Sequence, residues 1–322
     1  MSDGTDSKKS LQYGHEAMNT DFTIFIADAE PDYAASAAAA AFDVLDRIEG
    51  FLSRFVASSD VSKVNALAAG DSYQLGAEAW ACLLVAAQMA AETGRAFDPS
   101  AGALIDFWQK FADRLPVAFD YEQSPEWQAA WAAHSTGEFA LEPESRVLSC
   151  VTRGGVLDLG AIGKGFALDE MARVIEEDWE LSHVLLSAGG STVLALDAPD
   201  GKAGWKIGFG GETRLPIAVL TRRALSSSGT QSQPTHLVDP RTGALVTRSD
   251  LVRAVAPSGA MADALSTAFF VMSREEVEQY CGATPERLAL LVRDGTDGVP
   301  ESFDVLGQQA DIDWVEQGEG AA

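Results

Sequence analysis

Residues 156–170 read Val-Leu-Asp-Leu-Gly-Ala-Ile-Gly-Lys-Gly-Phe-Ala-Leu-Asp-Glu. The run opens as a short apolar strand over residues 156–159. It turns through Gly160 and Gly163, where glycine permits a sharp bend and close backbone approach. It continues as an amphipathic helix in which Phe166, Ala167, Met171, Val174 and Ile175 recur at helical spacing. Lys164 therefore falls where a glycine-rich turn becomes a helix N-terminus. Free N–H groups and the positive end of the helix dipole attract anions there, and the ammonium adds a full charge. Two readings stay open: a site for a phosphate-bearing ligand, or a tight connection with a solvated lysine. The spacing is not that of a Walker A loop.

Outward from this stretch, helices and strands alternate without a βαβ rhythm, which points to α+β architecture with mixed or antiparallel sheets packed on helices. Upstream, residues 1–16 read as a disordered lead-in and residues 22–27 as a strand. Pro31 opens a long helix to about Phe55, with Phe42, Leu45, Ile48, Phe51 and Leu52 as its apolar stripe. A short capped helix follows over residues 60–65, then amphipathic helices over 77–92 and 101–111. Ser124 caps a further helix that has Pro125 at its first position. Short strands are expected near 139–141 and 147–151. Downstream the character is β: residues 183–187, 193–196, 205–209, 215–220, 224–227 and 252–257 are apolar or β-branched runs between turn residues. These strands are expected to pair with the one at residues 22–27. A strongly apolar helix over 261–272 and a strand over 288–293 complete the body. The body spans residues 17–307, and residues 308–322 read as an acidic tail.

The 322 residues carry 48 acidic and 23 basic side chains, a net charge of −25. Nucleic-acid phosphates and anionic membrane surfaces would be repelled. Hydrophobic residues make up 47% of the chain, enough for a sizeable core. Three scattered cysteines, Cys82, Cys150 and Cys281, indicate neither a disulfide framework nor a zinc knuckle. The polar start lacks a secretory h-region and no apolar run reaches membrane-spanning length, so the expectation is a cytoplasmic protein without membrane insertion.

Chemistry concentrates in a few places. Asp263 and Thr267 stand four apart on the apolar 261–272 helix and so share a face. A carboxylate there must be paired, hydrogen-bonded or metal-bound. Asp and Thr oxygens are hard donors of the kind Mg²⁺ or Ca²⁺ takes, while a turn cap and a helix-backbone bond would satisfy the same residues without metal. Asp98-Pro99 and Asp239-Pro240 each set an acid before proline, where the chain is pushed extended. His236 opens the second of these segments.

Taken together the segments carry more than any one of them. They are residues 17–20 (Ala-Met-Asn-Thr), 48–55 with 60–65, 94–99 (Gly-Arg-Ala-Phe-Asp-Pro), 158–165, 188–190, 227–229, 236–243 and 262–268. In that order they resemble the ApbE family of flavin transferases, from about Met18 to Arg293. The resemblance implies an ApbE-like, T-fold-like architecture. It implies an enzyme that takes FAD as substrate, cleaves its pyrophosphate with Mg²⁺, releases AMP and attaches FMN to a Thr or Ser of an acceptor protein. Carried over by motif, it implies that Asp263, Thr267 and the Ala161 carbonyl bind Mg²⁺. Lys164 would meet the pyrophosphate. Met18, Phe55, Ala96, Phe97, Asp98, Asp158 and Leu237 would line the FAD site. His236, with Lys164 and Asp263, would be catalytic. The chain departs from the family pattern at Asn19 (usually glycine), Phe55 (usually tyrosine), Gly163 (usually alanine) and Ser191 (usually acidic), and is short between Gly229 and His236. Two alternatives use the same residues: an FAD pyrophosphatase yielding FMN and AMP, and a flavin-binding protein without catalysis.

Overall fold

The computed structural model describes residues 10–111, 121–208, 217–229, 237–247, 251–294, 300–308 and 312–315. Its centre is an eight-stranded antiparallel sheet. Along it run β1 (Leu11–Ala17), β2 (Thr20–Ile26), β6 (Val184–Ala188), β7 (Thr192–Ala195), β10 (Arg223–Ser228), β11 (Leu251–Ala256), β12 (Leu288–Asp294) and β13 (Pro300–Leu306), in that spatial order. Two three-stranded sheets accompany it. One has the order β14 (Asp313–Val315), β9 (Ile217–Leu220), β8 (Trp205–Ile207); the other runs β3 (Ser72–Gln74), β5 (Val147–Thr152), β4 (Glu138–Glu142).

Alternation along the strands sends side chains to both faces of the large sheet. Phe22, Ile24, Ile26, Leu186, Leu194 and Ala254 face a layer of helices: α1 (Pro31–Leu52), α3 (Ala77–Glu92), α6 (Gly163–Glu177) and α7 (Gly259–Val271). Ala195, Leu225, Val255, Leu288 and Leu290 face the small sheet of Trp205, Ala218 and Leu220. The result is three layers, with a central sheet buried on both sides. A satellite core of Leu104, Phe107, Trp108 and Val238 joins α4 (Gly102–Lys110) and α5 (Pro125–Thr136) to the 237–247 hairpin.

The expected pairing holds: Phe22, Ile24 and Ile26 stand opposite Ala188, Leu186 and Val184. Helix starts follow their caps. Pro31 lies at the first position of α1, Ser59 caps α2 (Asp60–Asn65), and the Ser124 hydroxyl accepts from Trp127 N–H. Three expectations are corrected. Residues 11–16 are not a disordered lead-in but most of β1, whose whole length pairs with β2. The acidic tail contains β14, paired with β9, and Ile312 is buried beneath the small sheet. Residues 156–159 are not a strand. Val156 makes one parallel bridge to Ala101, and the apolar side chains of Leu157 and Leu159 enter the core singly.

Candidate active site

The turn within residues 156–170 lies against the C-terminus of α1, Gly163 facing Leu52. Residue 157 is clamped by Asn65: its N–H donates to Asn65 Oδ1 at 2.7 Å and its carbonyl accepts from Asn65 Nδ2 at 2.9 Å. Asp158 N–H donates to the Pro99 carbonyl at 2.8 Å, which ties the 94–99 turn to the same strand of chain. The Asp158 side chain then folds forward. Its Oδ1 accepts the Gly160 N–H at 2.8 Å, and its Oδ2 lies 2.9 Å from Arg54 Nε. Arg54 also reaches Asp106 at 2.9 Å and is almost wholly buried, so its guanidinium joins three segments. The next side chain, Phe55, is 79% exposed, with the Arg54 guanidinium 4.8 Å from its ring centre.

These groups border a cleft open to solvent. Met18 and Asn19, from the β1–β2 turn, form one rim; Leu52 to Phe55 form another; Asp158, Gly160, Gly163 and Lys164 form the floor. Met18 and Asn19 both have left-handed backbone, at φ 50° and 57°, as a two-residue hairpin turn requires. Asparagine tolerates this conformation better than most residues.

From the floor the site continues inward to α7. The Asp263 carboxylate is nearly buried and is held by three donors. Gly165 N–H, at the N-terminus of α6, donates to Oδ2 at 3.1 Å. The Thr192 and Ser226 hydroxyls lie 3.3 and 3.2 Å from Oδ1, and 2.9 Å from each other. Lys164 Nζ stands 3.8 Å from Oδ2. A carboxylate offers about four lone-pair positions, so these hydrogen bonds leave one on Oδ2, on the lysine side. One turn further on, Thr267 Oγ1 lies 3.4 Å from Ser228 Oγ, itself 2.9 Å from Ser266 Oγ. A carboxylate oxygen with room for one more partner, among hydroxyls, is a donor set that suits a hard divalent cation such as Mg²⁺.

Two glycines make this proximity possible. A Cβ on Gly165 would lie 2.0 Å from the Gly259 carbonyl oxygen, and one on Gly259 would lie 2.4 Å from that of Gly165. The N-terminal turns of α6 and α7 therefore touch backbone to backbone, which brings Asp263 onto the positive end of α6. Asp169 fastens the joint, its two carboxylate oxygens accepting Gly259 and Ala260 N–H at 2.6 and 2.9 Å. Burial pushes the Asp169 carboxyl up to about 6 against these stabilising bonds.

Of the residues expected from the sequence, Met18, Phe55, Asp158 and Lys164 meet at the cleft, and Lys164 leads to Asp263 and Thr267. Ala161 lies in the turn before α6, beside the core. Ala96 and Phe97 have buried side chains outside the cleft lining. Asp98 turns back on its own loop, accepting from Ser100 N–H and Oγ at 2.8 and 2.7 Å. Leu237 is buried at the base of the 237–247 hairpin, its carbonyl accepting Val246 N–H. His236 lies outside the described residues. Sequence reasoning missed the cleft role of Arg54 and the Thr192–Ser226 pair. Ser226 and Ser228 stand at i and i+2 of one strand and so face the same side. The run of three serines at the end of this strand, Ser226 to Ser228, is the signal that could have found them.

A model of the ApbE family matches residues 18–292. The chain is 26% identical over 227 residues to the FAD:protein FMN transferase of Klebsiella pneumoniae, covering 65% of this chain and 63% of that protein, so it spans under two thirds of that relative's length. It is 27% identical over 264 residues to the FAD:protein FMN transferase of Treponema pallidum, covering 73% of this chain and 71% of that one. The solved structure of the ApbE protein from Thermotoga maritima superposes with a TM-score of 0.76 at 23% identity, over 94% of this chain and 97% of that one, and shows the same fold. A family match across most of the length, with the same architecture, makes this chain a member of the ApbE family.

Proposed function

We propose that the protein transfers FMN from FAD to a Ser or Thr hydroxyl of an acceptor protein, with Mg²⁺, releasing AMP. The observation that carries this reading is the placement of Asp263. Its buried carboxylate sits on the N-terminus of α6, 3.8 Å from Lys164, behind a cleft whose rim bears an exposed aromatic ring. The names of the Klebsiella and Treponema relatives support the same reading. Asp263 and Thr267, with the Ala161 carbonyl, would hold the Mg²⁺, which supplies neutralisation of charge on the phosphate oxygens.

The chain's own groups do the rest. Phosphoryl transfer needs positioning and charge neutralisation more than covalent chemistry from the protein. Phe55 offers a face for the isoalloxazine ring. Lys164, at the helix N-terminus, attracts the pyrophosphate and opposes the charge that develops as its P–O bond breaks. Thr192 and Ser226 keep Asp263 Oδ1 occupied, and Oδ2 is left to Gly165 N–H and the Lys164 ammonium. His236 is the proposed proton acceptor for the incoming hydroxyl. Product analysis tests the reading: FAD and Mg²⁺ are supplied together with a total protein extract of the cells that make this chain. Transfer gives AMP together with flavin fluorescence that survives denaturing electrophoresis. FMN and AMP without labelled protein would instead mark a pyrophosphatase, and unchanged bound FAD a binding protein.

A further inference from the structure

At the end of the large sheet opposite the cleft, three connections meet. Asp28 follows β2, His183 directly precedes β6, and Asp200 lies after β7. One ligand atom from each lies within 4.8 Å of the others. His183 Nδ1 is 3.0 Å from Asp28 Oδ2, and that oxygen also accepts the Asp200 N–H at 2.8 Å. Asp28 and His183 are partly buried, at 19% and 29% exposure, while Asp200 is exposed. The cleft lies at the far ends of the same strands, where the Met18–Asn19 turn joins β1 to β2. Seven residues of β2 separate the two places, roughly 20 Å at about 3.3 Å per residue.

We propose that Asp28, His183 and Asp200 form a second metal site, for a divalent cation of the zinc class. The donor set carries the choice of ion. Mg²⁺ takes oxygen ligands, whereas an imidazole nitrogen with carboxylates suits Zn²⁺, Co²⁺ or Ni²⁺. Ligand atoms of a tetrahedral zinc site stand about 3.3 Å apart, given metal–ligand distances of about 2.0–2.1 Å. The observed 3.0 Å pair, with all three atoms inside 4.8 Å, needs only small side-chain rotations to meet that spacing. The ion takes the place of the proton between His183 and Asp28. Two carboxylates and a neutral imidazole balance its charge, and solvent reaches a fourth position beside Asp200. The loops are already held for this: Ala27 N–H donates to the His183 carbonyl at 2.9 Å, and Asp197 N–H to that of Ser182 at 2.9 Å. The bound ion fastens the ends of β2, β6 and β7 and stabilises the fold by mass action.

Calorimetric titration of Zn²⁺ into the metal-stripped full chain tests this, with the thermal unfolding midpoint as second readout. One equivalent should bind, raise the midpoint, and persist both in Asp263→Asn and in excess Mg²⁺. His183→Gln should lose the binding. Asp200→Asn, at an exposed position that leaves the fold intact, should weaken it by more than the about 10–100-fold typical of losing an outer partner. Zn²⁺ binding unchanged in both variants, loss of the same equivalent in Asp263→Asn, or no binding to the parent chain would overturn the assignment and leave an Asp28–His183 ion pair.

Discussion

Asp263 brings a carboxylate into a helix in which Ala262, Ala264, Leu265, Ala268, Phe269 and Phe270 are buried. An unpaired charge there would be costly; hydrogen bonds from Gly165, Thr192 and Ser226, together with the nearby Lys164 ammonium, offset that cost. That it shares a helix face with Thr267 was legible, because this needs only a spacing of four on one helix. Thr192 and Ser226 were not, because they come from strands 71 and 37 residues away, brought together by sheet register. Phe55 shows the opposite economy: a large apolar ring left in solvent at the cleft rim. Removing it takes little from the core, so Phe55→Ala should change unfolding free energy by less than about 0.5 kcal/mol. If the ring stacks on flavin, FAD binding should weaken by about 1–3 kcal/mol, and Phe55→Tyr should bind at least as well as the parent. Flavin fluorescence titration reads both; normal affinity in a folded Phe55→Ala would remove the residue from the site.

At the scale of elements, the joint between α6 and α7 decides whether Lys164 and Asp263 meet. Gly165→Ala must push the helices apart, since its methyl would overlap the Gly259 backbone. It should destabilise the fold by about 1–3 kcal/mol or more and reduce activity with it. Gly50→Ala, in α1 with nothing within 4 Å, should instead stabilise by about 0.5–1 kcal/mol. Equal effects in denaturant unfolding would contradict the contact. Asp169 gives the joint a pH dependence. Its folded value of about 6 lies above the unfolded value of 3.8, so the native state holds the proton more tightly. Its contribution is fully present below pH 3.8 and is lost as pH rises through 6. Relative to Asp169→Asn, the parent should lose on the order of 3 kcal/mol between pH 4 and pH 7. A difference that stays flat or grows with pH would place Asp169 in a more polar setting. Elements with local signals were readable: α2 and α5 begin at their Ser caps. The helix α8 (Arg274–Ala283) was overlooked although Ser273 and Glu276 form a reciprocal capping box. The strand β1 hid because an edge strand alternates half-buried with exposed residues, and Leu11, Tyr13 and His15 alone make a weak apolar face. Residues 156–159 misled in the other direction, since an apolar run can thread a core without pairing.

For the whole molecule, 48 acidic side chains against 23 basic ones make self-repulsion part of the folding balance. Surface pairs such as Arg222 with Asp197 and Glu176 weaken in salt, but the acidic excess outweighs them. The thermal midpoint should therefore rise as KCl increases from about 0.01 to about 1 M, where the screening length falls from about 30 to about 3 Å. A steady fall would mean that ion pairs dominate. The packing of α6 against α1 and α7 brings the cleft, Lys164 and Asp263 together, and the proposed transfer depends on that continuity. Asp263→Asn tests it most directly, keeping size and one oxygen while removing the charge. AMP is measured after incubation of parent and variant with FAD, Mg²⁺ and the cell protein extract, with FAD binding measured alongside. The parent should release AMP in step with flavin-labelled protein, and Asp263→Asn should bind FAD and release none. AMP release by Asp263→Asn near the parent rate would contradict the account.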